Sequence, residues 1–310
     1  MRAATTVRVA LLLVLVVRAL YGWRAPAQDR GAGPGAAEPA AVSLARFGDA
    51  RALALDPRGR LYVADAARDV VQVFGPAGRP RTVLGGAGTQ AGAFDTPSDI
   101  DPTNGQVLLV ADTYNGRIQR VSEDGQYLES LPVGRPDRGS GAGWRGQTGT
   151  EDRTGRGDGR PVAVGRHEDG TIVVLDRRTR RLLTWTDLGS GGQLTEAPST
   201  RLDDPVALAV GDGGRVYVAD AGRGAVWLYD TFGTFVRRLS LPPLPTVRAL
   251  SLHRGHLWIV CRDRVLVWTR AAGLVAEHPV DVSEPLVDAA PTGRHTYLLT
   301  PTRLLRRPGW

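Results

Sequence analysis

Six stretches of this 310-residue chain superpose on one short pattern, and self-similarity at intervals of about forty residues restricts a chain to stacked or ring-closed repeats. Four copies align on an aspartate: RLYVADAARDVVQVF (60–74), LLVADTYNGRIQRV (108–121), TIVVLDRRTRRLLTW (171–185) and RVYVADAGRGAVWLY (215–229). With Asp65, Asp112, Asp176 and Asp220 as anchors, Val71, Ile118, Leu182 and Val226 stand six residues on, and Phe74, Val121, Trp185 and Tyr229 nine residues on. Two weaker copies, LWIVCRDRVLVW (257–268) and YLLTPTRLLRR (297–307), put Cys261 and Thr300 at the anchor. The anchors lie 47, 64, 44, 41 and 39 residues apart.

Each copy runs strand, tight turn, strand: β-branched and aromatic residues, then Asp with Gly, Arg or Asn, then a second apolar run. A further short apolar stretch precedes each copy, as in Ala52–Leu55, Val206–Val210 and Leu286–Ala290, and a fourth strand follows in Arg81–Leu84, Gln126–Leu131 and Thr234–Leu239. Four antiparallel strands per repeat predict a six-bladed, all-β propeller over residues 41–310. Gly and Pro, 39 and 21 residues, supply its turns and exclude a run of long helices. The sixth copy has only three strands, and Val42–Phe47 precedes the first blade without a partner. That N-terminal strand is expected to complete the last blade and close the ring. The anchor aspartates are expected to hold the following turns through backbone N–H groups, not to catalyse.

The lead-in Gly85-Gly86-Ala87-Gly88, Gly92-Ala93-Phe94 and Thr96-Pro97-Ser98, followed by Val110-Ala111-Asp112 and Asn115-Gly116-Arg117-Ile118-Gln119, resembles the NHL repeat. The likeness is strongest in the second copy, good in the first and fourth, and reduced to strand spacing in the last two. It implies an NHL-type propeller that binds proteins or other ligands. Six-bladed relatives include metal-dependent hydrolases and lyases working at the channel mouth. The Gly-His and Trp-Asp marks of WD40 repeats are absent, as is the Trp spacing of quinoprotein propellers.

Residues 1–27 carry Arg2 and Arg8 before the apolar run Val9–Val17 and end in Ala25-Pro26-Ala27, the layout of an export signal. Nine apolar residues are too few to span a bilayer, and an uncleaved anchor would bury Arg18. The expectation is a periplasmic or extracellular monomer, anchored by this segment if it is left uncleaved, with a flexible linker at residues 28–40. All 39 basic residues are Arg, and residues 1–27 hold four of them with no acid, so losing them would take the net charge from +7 to +3. Nucleic acid is therefore not the expected partner.

Catalytic motifs such as G-x-S-x-G and H-E-x-x-H are missing, and the lone Cys261 cannot form an intramolecular disulfide. No cofactor is expected. Calcium is the one candidate, at Asp99, Asp101 and Asp288 in or beside the inner strands. The denser signal is basic: the turns between second and third strands bring Arg68, Arg117, Arg177, Arg178, Arg180, Arg181 and Arg223 to one face. The long insertion 135–160, with Trp144, opens on the same face as either a flap or a solvated loop. The expected function is a non-enzymatic exported scaffold holding a protein or anionic envelope ligand there. The alternative is a metal-dependent hydrolase or lyase.

Overall fold

The computed structural model describes residues 41–102, 105–134, 157–186, 202–244 and 246–310, and the backbone of 193–197. The expected signal, the linker, Trp144 and most of the 135–160 insertion lie outside the described residues.

Twenty-four strands form six four-stranded antiparallel sheets. Blade 1 holds β2 (Ala50–Leu55), β3 (Leu61–Asp65), β4 (Val70–Phe74) and β5 (Pro80–Gly85). Blade 2 holds β6 (Pro97–Asp101), β7 (Val107–Asp112), β8 (Arg117–Ser122) and β9 (Tyr127–Pro132). Blade 3 follows with β10 (Pro161–Arg166), β11 (Ile172–Asp176), β12 (Arg181–Thr186) and β13 (Gln193–Ala197). Blade 4 is β14 (Pro205–Gly211), β15 (Arg215–Asp220), β16 (Ala225–Tyr229) and β17 (Phe235–Arg238). Blade 5 is β18 (Val247–His253), β19 (His256–Cys261), β20 (Arg264–Thr269) and β21 (Gly273–Pro279). Blade 6 takes β22 (Asp288–Pro291), β23 (His295–Leu299) and β24 (Arg303–Pro308), and its outer strand is β1 (Val42–Arg46), paired Val42 with Arg306 and Arg46 with Arg303. The N-terminal strand therefore closes the last blade, as strand counting predicts.

The core has six parts, one between each pair of neighbouring blades. Tyr62 and Ala64 of blade 1 meet Leu108 and Val110 of blade 2. Leu53 and Val63 on the other side of blade 1 meet Tyr297 and Leu299 of blade 6. Strand alternation sends successive side chains to opposite sheet faces, so each blade feeds two of these wedges. The middle strands are accordingly buried along their whole length, as in Leu61–Asp65 and Ile172–Asp176.

All four anchor aspartates are fully buried and structural, with one correction to their partners. They chiefly secure the connection entering the blade, where the expectation placed the turn that follows. Asp65 accepts the backbone N–H groups of Gly48 and Asp49, Asp112 that of Asp95, Asp176 that of Arg160, and Asp220 those of Asp203 and Asp204. Only Asp176 and Asp220 also hold turn N–H groups, from Arg178 and Arg223. The connection has no sheet partner of its own, so its N–H groups depend on the carboxylate.

Candidate functional site

The inner strands β2, β6, β10, β14, β18 and β22 border the central channel, and their registers place six residues at one level. Ala52 faces Ala64, Asp99 faces Ala111, Ala163 faces Leu175, Ala207 faces Ala219, Ala249 faces Val260, and Asp288 faces Leu299. Four are alanine because the inner strands converge there. A Cβ on nearby Gly165 of blade 3 would come within 2.6 Å of Val210 on blade 4. Blades 2 and 6 place a carboxyl at this level instead, on either side of blade 1.

Both acids reach the next blade. Asp99 accepts the N–H of Val164 on blade 3 at 2.8 Å and that of Ile100 at 2.9 Å. Asp288 accepts the N–H of Leu53 on blade 1 at 2.8 Å and that of Ala289 at 2.7 Å. An inner strand has no sheet neighbour on its channel side, so these carboxyls satisfy edge N–H groups. Burial pushes the Asp99 carboxyl well above its ordinary range, the two N–H bonds oppose this, and the negative charges of Asp288 and Asp101 add to it. Asp288 is pushed up to about 7, by burial against its two N–H bonds. Asp101, buried one alternation further along β6, completes the acidic side of the channel. The level lies just inside the anchors, at the end of the channel where the blade-to-blade connections and the Arg-bearing turns open.

The basic face differs from its expected form. Arg117 is wholly buried: it pairs with Asp112 at 2.8 Å and donates to the carbonyls of Gln90 and Ala93. It belongs to a cluster in which Asn115 and Gln119 also donate to Asp112, and so builds blade 2 from within. Arg177 pairs with Asp204 at 2.7 Å, Arg178 with Asp158 at 3.0 Å, Arg180 with Asp203 at 3.6 Å and Arg68 with Asp65 at 3.0 Å. Arg223 is exposed, and Arg181 is half-buried at the start of β12. The densest arginine run is thus balanced by local acids, and its attraction for an anion is correspondingly reduced.

The residues do not fit a metal centre. Among the described residues no group of three or more His, Cys, Asp or Glu side chains is placed to hold a metal ion. The oxygens of Asp99 and Asp288 face N–H donors, whose partial positive charge opposes a cation. The histidines are scattered: His253 faces His256 across a turn, His278 stacks on Trp310 at 4.5 Å, and His167 is buried with both ring nitrogens unpartnered.

No known family model matches this sequence. Solved propellers do. A virginiamycin B lyase from Staphylococcus aureus has a TM-score of 0.60 at 9% identity, over 86% of this chain and 97% of that one. A gluconolactonase from Xanthomonas campestris has a TM-score of 0.59 at 16% identity, over 86% and 89%. A luciferin-regenerating enzyme has a TM-score of 0.60 at 14% identity, over 87% and 96%. These similarities show the six-bladed fold. They also count against the expected non-enzymatic scaffold, because these three neighbours are enzymes.

Proposed function

We propose that the chain is an enzyme of the hydrolase or lyase kind, opening a ring ester or a related ring at the channel mouth. The observation that carries this is the Asp99–Asp288 pair: two carboxyls at one level of the channel, each pushed toward its acid form. Ring opening at a C–O bond needs one group to take a proton and another to give one, and separated affinities divide those roles. Asp288, whose N–H bonds are opposed by burial with no carboxylate repulsion added, is assigned as the base. Asp99, whose acid form is favoured by burial and by the charges of Asp288 and Asp101, is assigned as the acid. In hydrolysis, Asp288 takes a proton from a water whose oxygen bonds to the ester carbonyl carbon. The ring C–O bond then breaks, and Asp99 protonates the departing oxygen, leaving a hydroxy acid. The two carboxyls afterwards return to their starting forms by exchange with solvent. In elimination, Asp288 would remove a carbon-bound proton instead, with the same role for Asp99. The gluconolactonase and lyase neighbours support both forms.

The Asp112–Asn115–Arg117–Gln119 cluster supports assigning the blades to the NHL type, and Val9–Val17 supports export.

The test is turnover of gluconolactone and related lactones by the wild type, Asp288→Asn and Asp99→Asn. Each substitution is expected to lower kcat/KM by about 10²–10⁴-fold. The wild-type profile should rise through about pH 7 as Asp288 ionises. Unchanged kcat/KM in both variants would sink the assignment.

A further inference from the structure

One position mouthward of the acid level, five inner strands carry a bulge, at Arg51, Ser98, Val162, Val206 and Arg248, and Val287 holds the matching place in blade 6. A bulged residue has no cross-strand partner, so its side chain can be aimed away from the ladder. These side chains keep solvent contact between buried neighbours: Arg51 is exposed between Ala50 and Ala52, at 0% and 4%, and Arg248 is exposed beside Val247 at 1%. On an inner strand at this end of the ring, that solvent is the channel mouth. Val162, Val206 and Val287 pack toward the following blade. On the same register Arg51 stands beside blade 2 with Asp99, and Arg248 beside blade 6 with Asp288.

The mouth is therefore two-sided. Blades 5 and 1 present guanidinium groups around blade 6, and blades 3 and 4 present valine. Arg248 makes no hydrogen bond or ion pair among the described residues. Arg51 pairs only with Asp49, at 2.5 Å, and both partners are well exposed. Such an exposed pair is weak enough to exchange for a ligand oxyanion. Arg177, Arg178 and Arg180, with Asp204, Asp158 and Asp203 beside them, offer less.

We propose that Arg51 and Arg248 hold a carboxylate on the substrate of the Asp99–Asp288 pair, with its apolar part against Val162 and Val206. This rests on the enzyme reading for the word substrate, but binding tests it separately from turnover. Guanidinium groups suit a carboxylate because their N–H donors match its two oxygens. The opposite apolar wall would set the molecule's orientation, leaving the reacting bond over the two acids.

The experiment titrates octanoate and the uncharged octanamide into wild type, Arg248→Ala and Arg51→Ala/Arg248→Ala by calorimetry. Octanoate should bind the wild type at least tenfold more tightly than octanamide, lose most of that advantage in Arg248→Ala and all of it in the double variant. Octanamide should be indifferent to both. Arg248→Ala is the cleaner variant, since no protein partner of Arg248 is lost with it. Equal affinity for the two probes, no octanoate binding, or octanoate binding unchanged in the double variant would overturn the proposal. Loss of lactone turnover in none of the aspartate variants, with octanoate still Arg-dependent, would remove the catalytic reading and leave this one standing.

Discussion

Asp288 is where structure and chemistry compete in one side chain. Its two N–H bonds join blade 6 to blade 1, yet its burial raises the affinity for a proton to about 7 from an ordinary 3.8. The sign of the resulting pH dependence follows directly. Between about pH 4 and 7 the folded chain keeps a proton that the unfolded chain gives up, so this group's contribution is full below pH 4 and lost as pH rises through 7. Each pH unit costs up to about 1.4 kcal/mol. Asp288→Asn cannot titrate, so its melting temperature relative to wild type should rise between pH 5 and pH 8. Thermal melts of both proteins at those pH values check this. A constant difference would mean that Asp288 ionises normally. The sequence places Asp288 on or beside an inner strand, but not its level. That level emerges only from register, because the bulge in blade 2 shifts Asp99 by one place relative to β7. Arg117 fails in the opposite way. Its position in a polar turn suggests exposure, whereas the carbonyls of Gln90 and Ala93, brought up by the glycine-rich lead-in, bury it.

At the scale of elements, β1 is the most informative strand. Its exposed and half-buried residues say little about where it goes, since burial does not alternate along Val42–Arg46. Counting strands in the repeats placed it, because an incomplete sixth blade would expose the edge of β24. Strand order was legible for that reason. The bulges were not, since a proline precedes three of them, at Ser98, Val162 and Val206, but Arg51 and Arg248 follow an alanine and a valine, so no one local pattern marks all five. With them went Arg51 and Arg248, which are single arginines in a chain with 39 basic residues. Deleting Val42–Arg46 removes the β1–β24 ladder and uncovers part of the wedge that holds Leu44 and Ala45. At about 1 kcal/mol per hydrogen bond, several bonds are at stake. The deletion should lower the melting temperature by several degrees and broaden association with other copies through the bared edge of β24. Differential scanning calorimetry and light scattering measure the two effects. An unchanged midpoint would show that β24 does not depend on its partner.

For the whole molecule, six interblade wedges arranged in a ring mean that each blade is stabilised by both neighbours. Blade 6 is built from both ends of the described chain. A ring of this kind should unfold as one unit, because opening any wedge removes a partner from two blades. Breaking the Arg117–Asp112 pair tests this. Arg117→Ala leaves a buried carboxylate without its counter-charge, and the cost of such a loss is about 3–5 kcal/mol. The damage lies in blade 2, and blades 1 and 2 contain no tryptophan. Trp185, Trp227, Trp258 and Trp268 report instead on blades 3, 4 and 5. If the ring is cooperative, tryptophan fluorescence and far-ultraviolet circular dichroism should give one midpoint in Arg117→Ala, shifted equally from wild type. If blade 2 melts alone, the dichroism should fall early while fluorescence keeps the wild-type midpoint. The same comparison bears on the channel. Asp99 lies on blade 2 and binds blade 3, so a ring that transmits strain from Arg117 must do so past the paired acids. A cooperative ring would hold those two carboxyls at fixed separation, as division of labour between an acid and a base requires.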